Sequence, residues 1–189
     1  MTVTSERRPV AAYLRAHRKR ADLTLDALAE RTGLTKSYLS KIERGLSTPS
    51  IAVALKIARA LNTDVGQLFS DDPDPTLMQV DRTDDRTNEP TTPAAHYLAI
   101  ATGVARKTMQ PFMVRPTTEP DTKYLEHSGD EFVFVHSGSV EISVPGEHIV
   151  LHAGDSLYFA ATTPHRIRSI STRRAELIVV VGDREPVAD

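Results

Sequence analysis

The spacing of apolar residues changes once along this 189-residue chain, and that change constrains it to two domains of different class. In the first seventy residues apolar side chains recur every three or four positions, as in Leu25, Leu28 and Ala29. From residue 96 onward they alternate with polar residues in short runs that Gly and Pro separate. The first pattern is typical of amphipathic helices and the second of half-buried strands. We therefore predict a helical domain over 1–70 and a β domain over 96–189.

The N-terminal domain contains patterns for five helices. Thr24, Thr35 and Ser50 stand where N-caps are needed, and Gly45 can adopt the left-handed conformation that ends a helix. A tight turn at Gly33 joins the second and third helices, as in a helix-turn-helix. The predicted bundle comprises helices over 10–20, 24–32, 35–45, 51–61 and 64–68.

The third helix has one apolar face and one face rich in hydrogen-bond donors. Leu39 and Ile42 lie three residues apart and should face the core. The opposite side carries Lys36, Ser37, Ser40, Lys41 and Arg44. Residues 1–70 hold twelve Lys or Arg against six Asp or Glu, a net charge of +6, although the whole chain carries −2. Positive charge gathered beside such a helix predicts binding to duplex DNA.

The run from Leu23 to Phe69 resembles the lambda/434-repressor type of DNA-binding domain, often called the XRE family. By that resemblance, Lys36, Ser37 and Lys41 approach base edges, and a structural ion pair joins Glu43 to Arg18. The resemblance implies a second group nearer the DNA phosphates, namely Thr24, Thr35, Tyr38, Ser40 and Arg44. It also implies a double-stranded DNA operator as partner and a homodimer that reads two half-sites.

Residues 71–95 differ in composition from both domains. They include four prolines and seven acidic against two basic residues, so we predict an acidic, partly extended linker. The chain has no cysteine, which excludes disulfides and thiolate zinc sites. We find no targeting or membrane-spanning pattern, and we expect the chain in the cytoplasm.

The C-terminal domain contains patterns for eight short strands with tight turns between them. They are predicted over 96–102, 109–115, 131–135, 140–144, 148–151, 156–159, 165–170 and 176–181. Many short strands in fewer than a hundred residues favour a small antiparallel β-barrel or jelly roll.

Two segments of this domain, 127–138 and 154–165, resemble the signature motifs of the cupin superfamily. The first motif runs His-x-His, three or four residues, Glu, six residues, Gly. Here His127, Glu131 and Gly138 keep the spacing, but Leu125 occupies the first histidine position.

The second cupin motif is present at its two ends, Gly154 and His165. Its proline and second glycine positions hold Ala160 and Thr162 instead.

The cupin resemblance implies three of the usual four metal ligands: His127, Glu131 and His165. Two imidazoles and a carboxylate suit Fe, Zn, Mn, Ni or Co, and the alternative is that these residues line an organic-ligand site without a metal. Tyr124, Leu125 and Arg166 stand beside these positions in the sequence. They are our candidates for binding a small-molecule effector.

Two functional hypotheses follow from this pair of domains. In the first, the chain is a transcription regulator, not an enzyme, and its cupin domain senses a small molecule and dimerises. In the second, it is a mononuclear non-haem iron oxygenase that keeps the helical domain as a scaffold. The (S)-2-hydroxypropylphosphonate epoxidases, iron enzymes, resemble this chain in domain order. We favour the regulator because an enzyme scaffold has no need of a donor-rich recognition helix with intact caps.

Overall fold

The computed structural model describes residues 10–69, 76–82, 97–104, 107–119 and 123–182. Most of the predicted linker, and His96, lie outside the described residues. The chain divides into two compact units. One comprises Met1–Val80 with Ala101–Arg106, and the other comprises Asp81–Ile100 with Lys107–Asp189.

Among the described residues, the helical unit contains four α-helices, three of which begin at predicted caps. Thr24 Oγ1 accepts a hydrogen bond from the Ala27 amide at 3.1 Å, and Thr35 Oγ1 accepts one from the Tyr38 amide at 3.2 Å. Each bond satisfies an amide that the first turn of a helix leaves without a partner. The helices are α1 (Val10–Arg20), α2 (Leu25–Thr32), α3 (Lys36–Glu43) and α4 (Ile51–Ala60).

The prediction of a fifth α-helix is wrong, because that segment forms a 3₁₀ helix at Val65–Phe69. The Gln67 amide donates to the Asp64 carbonyl three residues earlier, at 3.0 Å. The Asp64 carboxylate also accepts from the Gly66 amide at 2.7 Å. These local bonds tighten a five-residue turn that is too short to establish an α-helical ladder.

The core of the helical unit is formed by the apolar faces of its helices. Leu14, Leu28, Leu39, Ile42 and Ile57 are each at most 1% exposed. The predicted ion pair between α1 and α3 is present: Arg18 donates two hydrogen bonds to the Glu43 carboxylate, one of them 2.9 Å long. The bond to Glu43 raises the pKa of Arg18 above its usual value. The cap at Thr35 thus fixes the start of α3, and the ion pair between Glu43 and Arg18 of α1 fixes its end.

Over the residues that the structure describes, the second unit contains eight antiparallel strands in two sheets. The larger sheet has the order β1-β2-β8-β3-β6 and the smaller has the order β5-β4-β7. All eight predicted strands occur, with ends shifted by up to three residues. They are β1 (Tyr97–Ala99), β2 (Met109–Val114), β3 (Asp130–Ser137), β4 (Ser139–Val144), β5 (Glu147–His152), β6 (Ser156–Ala160), β7 (Arg166–Ser169) and β8 (Glu176–Gly182).

Of the two predicted architectures, a barrel or a jelly roll, the closed barrel is not formed by the described strands. The chain passes from one sheet to the other at Gly138, where φ is +78°, so that β3 and β4 lie in different sheets. Among the described residues only single bridges supplement the two sheets, such as the one between Leu125 and His165. A turn this abrupt favours two separate sheets over one continuous ladder. No helix among the described residues is both long and apolar enough to cross a membrane.

Candidate nucleic-acid interface and candidate metal centre

The exposed side of α3 carries the side chains that the sequence suggested for DNA binding. Leu39 and Ile42 are buried, and the opposite side is open to water. Of the eight predicted DNA-binding residues, Tyr38 and Ser40 are half-buried and six are exposed: Thr24, Thr35, Lys36, Ser37, Lys41 and Arg44. Thr24 and Thr35 use their hydroxyl oxygens as caps at the starts of α2 and α3. The positive N-terminal ends of two helices therefore adjoin this exposed side.

Lys36 has a partner that sequence reasoning missed. Its Nζ lies 2.8 Å from Oδ2 of Asp26, which belongs to α2, and both side chains are largely exposed. The two residues are ten positions apart and meet only because the turn brings α2 against α3, so helical periodicity gives no signal of the pair. Arg44 donates from Nε to the Ser40 carbonyl at 3.2 Å, which directs its guanidinium along the end of α3.

In the second unit, His127, Glu131 and His165 converge; we call them the triad. Glu131 lies on β3, His127 precedes that strand, and His165 immediately precedes β7. Two backbone bonds between Leu125 and His165, each 2.9 Å long, join the segments that carry the histidines. One potential ligand atom from each triad residue lies within 4.8 Å of the others.

Both triad histidines direct Nδ1 at a backbone carbonyl and Nε2 at Glu131. His127 Nδ1 lies 3.1 Å from the Ser128 carbonyl, and His165 Nδ1 lies 2.9 Å from the Thr163 carbonyl. Because a carbonyl oxygen only accepts, each Nδ1 must carry the hydrogen. Each Nε2 therefore faces Glu131, at 3.0 Å from Oε2 for His127 and 3.5 Å for His165.

The electrostatics of the triad favour a positive charge beside Glu131. Burial would raise the pKa of Glu131, but the hydrogen bonds from His127 and His165 lower it to about 2. Burial would lower the pKa of His165, yet its bond to Glu131 raises that pKa above the usual value. A neutral imidazole would direct its Nε2 lone pair at a carboxylate, which is repulsive. The contact between His165 and Glu131 is favourable when a proton or a metal cation lies between nitrogen and oxygen.

The triad fits a divalent metal ion by its chemistry. Two Nε2 atoms and one carboxylate oxygen are nitrogen and oxygen ligands of the kind that Fe, Zn, Mn, Ni and Co accept. The Nδ1 bonds to backbone carbonyls are the supporting contacts that metal-binding histidines usually make. Leu125, at the position where the fourth family ligand would stand, leaves one side of the centre apolar.

The three predicted effector residues lie next to the triad in different ways. Leu125 is half-buried and forms the backbone bridge to His165. The guanidinium carbon of Arg166 lies 4.8 Å from the centroid of the Tyr124 ring, a cation–π contact. Adjacent residues of an extended segment point to opposite faces, so Arg166 and Tyr124 are directed away from the side that His165 occupies. Of the three predicted effector residues, Leu125 is therefore the best placed to contact a ligand at the triad.

Gln110 is a buried polar residue that sequence reasoning missed. It shares a cross-strand row with Glu131, since both pair with Val181 of β8. Its amide nitrogen donates to the carbonyls of Ile100 and Pro111, at 2.7 and 2.8 Å. Its Oε1 has no hydrogen-bond partner among the described residues. A single glutamine in a strand pattern gives no signal of this placement.

Comparison with known families assigns both units. Residues 14–68 match the helix-turn-helix family model, and residues 112–181 match the cupin domain model. The chain carries a helix-turn-helix domain of the XRE type and a cupin domain. The cupin match spans His127, Glu131 and His165, so all three members of the triad occupy positions within the recognised domain.

Two proteins that align with most of this chain are named as transcription regulators. The chain is 25% identical to the HTH-type transcriptional regulator PuuR of Escherichia coli, over 85% of this chain and 88% of PuuR. In fold it is similar to an HTH_3 family transcriptional regulator from Vibrio cholerae, with a TM-score of 0.64 and 23% identity. That match covers 94% of this chain and 96% of the Vibrio protein. The domains and the names of these relatives support transcription regulation and favour it over an enzyme.

The epoxidase named in the alternative hypothesis is also among similar solved structures. Hydroxypropylphosphonic acid epoxidase from S. wedmorenis is 20% identical, and the match covers 92% of this chain and 96% of the enzyme. The TM-score is 0.38. At that value the likeness bears neither for nor against an enzymatic activity.

Proposed function

We propose that this protein is a sequence-specific DNA-binding transcription regulator whose cupin domain binds a small-molecule effector and forms a homodimer. The observation that carries the proposal is the exposed side of α3. Its donors stand outward on a helix that is capped at its start and tied by Glu43 to Arg18 near its end. A helix positioned this firmly, in a domain of net charge +6, is suited to the major groove of DNA.

Within this proposal, the side chains divide between reading bases and holding the DNA backbone. Lys36, Ser37 and Lys41 are exposed on the first two turns of α3, where a helix in the major groove reaches base edges. Thr24 and Thr35 at the helix starts, with Arg44 at the end of α3, would contact phosphates. Tyr38 and Ser40, which are half-buried, would support that backbone contact from the side of α3.

The effector site of this proposal is the triad, with a divalent metal ion held by His127, Glu131 and His165. A bound metal would supply open coordination positions for an oxygen- or nitrogen-bearing effector. The chain's own residues would orient it: the Ser128 and Thr163 carbonyls fix the imidazoles, and Leu125 offers an apolar surface to the hydrocarbon part of the effector. Tyr124 and Arg166 would then shape the outside of this segment rather than the site itself.

Regulation would follow from a change in the dimer. An effector can shift the protein between two arrangements only if it binds one of them more tightly. In a two-fold dimer such a shift changes the separation of the two recognition helices, and half-sites a helical turn apart tolerate little change.

The proposal is tested by binding the full-length chain to labelled duplexes from its own promoter region and to random duplexes, followed by fluorescence anisotropy. Lys41→Ala should weaken binding to the specific duplex by about 1–3 kcal/mol more than binding to random DNA, the value of a good base contact. Lys56→Ala is the matched control, because Lys56 is an exposed lysine on α4. Absence of preferential binding to any genomic duplex would refute the proposal.

A further inference from the structure

The larger sheet is apolar on both of its faces. Its inner face includes Phe112, Val133 and Val179, which are at most 1% exposed and belong to the core. A sheet that meets water on its other face normally alternates apolar and polar residues. In β8, however, five consecutive apolar residues lie between Glu176 and Gly182. The second face of this sheet therefore also has the composition of a covered surface.

The strand register aligns the apolar side chains of this second face, which we call the outer face. One cross-strand row runs from β6 to β2 and contains Tyr158, Phe132, Val180 and Pro111. The next row runs from β3 to β1 and contains Phe134, Ile178, Met113 and Leu98. With strands about 4.8 Å apart, five strands place these side chains along roughly 19 Å of sheet.

Several side chains of the outer face are open to water in the single chain. Met109 lies on this face too, because it stands two residues before Pro111 on β2 and pairs with Gly182. Tyr158 is 65% exposed, Met109 61% and Phe132 37%. No Lys or Arg occupies either row among the described strands. Contiguous apolar patches of this kind mark interaction surfaces in proteins that are otherwise soluble.

Polar groups close the outer face at both ends of its strands. The Tyr158 hydroxyl donates to Asp130 Oδ2 at 2.6 Å at one end. Arg115 pairs with Glu176 at 2.8 Å at the other end. An apolar centre rich in Phe, Tyr and Met, with charged residues confined to the rim, is the usual anatomy of a protein–protein interface.

We propose that the outer face binds the outer face of a second copy of this chain, across a two-fold axis. Two identical faces can meet with little repulsion because their two central rows carry no Lys, Arg, Asp or Glu, and at the rim Arg115 is paired with Glu176. Sheets also pack readily face to face, about 10 Å apart. This inference rests on the proposed function to the extent that a two-fold pair of helix-turn-helix domains is what operator half-sites require.

The test is sedimentation equilibrium of the full-length chain, without DNA, for the wild type and three variants. Tyr158→Arg and Met109→Arg introduce a charge at two exposed positions on different strands of the outer face. Each should weaken dimerisation about 30-fold, the effect of losing one interface hot spot. Val150→Arg is the matched control, because Val150 is an exposed apolar residue (48%) on β5 of the smaller sheet. It should leave the dimer intact.

Three results would overturn the inference. They are a monomeric wild type at micromolar concentration, a dimer that survives both outer-face variants, and a dimer that only Val150→Arg disrupts. Oxidative footprinting of the wild type provides a second measurement that needs no variant to fold. Met109, Met113 and Tyr158 should become protected as the protein concentration rises through the dimer range, and unchanged labelling would equally contradict the inference.

The two proposals can fail separately. Sedimentation of DNA-free protein reports on the interface whether or not the chain binds DNA. A dimer through the outer face without operator binding would refute only the regulator. Operator binding by a chain whose outer face stays labelled would refute only the interface.

Discussion

At the scale of single residues, Glu131 determines whether the triad can hold a metal. Its carboxylate is the only anionic ligand of the three, and it lies between both imidazoles. We expect Glu131→Ala to abolish stoichiometric binding of a divalent ion, measured by metal analysis after dialysis against the metal. DNA binding in the absence of effector should persist, because the substitution lies in the other unit.

The control for this prediction is His152→Ala. His152 is an exposed histidine on β5 whose ring bonds to Ser139 rather than to a carboxylate cluster. Metal content should not change in this variant. If Glu131→Ala binds as much metal as the wild type, the ion is held elsewhere and the triad is not the metal centre.

The same cluster predicts how the stability of metal-free protein depends on pH. The pKa of Glu131 falls from 4.5 to about 2, so its stabilisation is complete above pH 4.5 and is lost as the pH falls toward 2. The pKa of His165 is raised above 6.5, so its stabilisation is complete below pH 6.5 and is lost as the pH rises through the raised value. Melting temperatures in EDTA should therefore be highest between about pH 4.5 and 6.5.

A divalent metal should remove the decrease in stability on the alkaline side, because a metal cation replaces the protons between Nε2 and the carboxylate. Thermal melts with and without added zinc at pH 6 and pH 8 make the comparison. A metal-free protein that becomes more stable from pH 6.5 to 8 would contradict this account of the triad.

At the scale of elements, the recognition helix depends on its cap. The Thr35 hydroxyl satisfies the Tyr38 amide, and Thr35→Ala removes that acceptor. We expect the free energy of unfolding to fall by about 1 kcal/mol in urea titrations. Ser37→Ala is the control, since Ser37 is exposed within α3 and caps nothing; it should change stability by less than about 0.5 kcal/mol. Equal losses in the two variants would show that the cap is unimportant.

Substituting two glycines tests how tightly the chain is packed where it passes from one sheet to the other. Gly138 and Gly146 both have positive φ, at +78° and +84°. A Cβ at Gly138 would lie 2.7 Å from Ser171 Oγ and 2.9 Å from Ala175 Cα, whereas a Cβ at Gly146 would meet nothing within 4 Å.

Gly146→Ala should therefore cost only backbone strain, about 1–2 kcal/mol. Gly138→Ala should cost about 1–3 kcal/mol more, because the chain must move apart where the sheets separate. Urea unfolding of both variants gives the difference. Equal costs would show that the close approach at Gly138 relaxes freely.

Sequence periodicity predicted the positions of the helices and strands well, but it predicted less well how the strands are arranged in sheets. The four α-helices and eight strands follow from caps, turns and apolar spacing, because those signals are local. The 3₁₀ helix at Val65–Phe69 was predicted as α because a five-residue apolar segment does not distinguish the two ladders. A closed barrel was predicted because the alternation of apolar and polar residues identifies each strand but not the strands it pairs with. The turn at Gly138 places β3 and β4 in different sheets.

The candidate sites show the same limit. Motif spacing indicated that His127, Glu131 and His165 would meet, since the family motifs encode their positions. The contact of Asp26 with Lys36 and the burial of Gln110 arise from tertiary packing, and no local pattern reports them. Tyr124 and Arg166 were chosen because they flank the motif positions in sequence, and their contact with an effector stays a prediction.

At the scale of the whole molecule, charge is unevenly distributed along the chain. The chain carries −2 overall, yet residues 1–70 carry +6. We expect log K for duplex DNA to fall steeply with log salt despite the net negative charge, because counterion release depends on the charges at the interface. Arg44→Ala should reduce the magnitude of this slope by about 1 and weaken specific and random binding alike.

Anisotropy titrations over a range of potassium chloride concentrations measure the slope. Lys56→Ala again provides the comparison, as an exposed cation of the same domain. A slope near zero for the wild type would place the positive charge away from the bound DNA. A loss confined to the specific duplex would reassign Arg44 to a base contact.

The position of β8 in the larger sheet has a consequence for how the protein is made. β8 is the last described strand to be synthesised, yet it lies between β2 and β3 and pairs with both. A ribosome that has finished β7 has therefore released two apolar strands whose shared partner does not yet exist. The helical domain can fold on the nascent chain from nearby contacts, but the cupin domain must wait for its final strand. Interrupted synthesis would leave open sheet edges, which are the surfaces that chaperones bind and that otherwise aggregate.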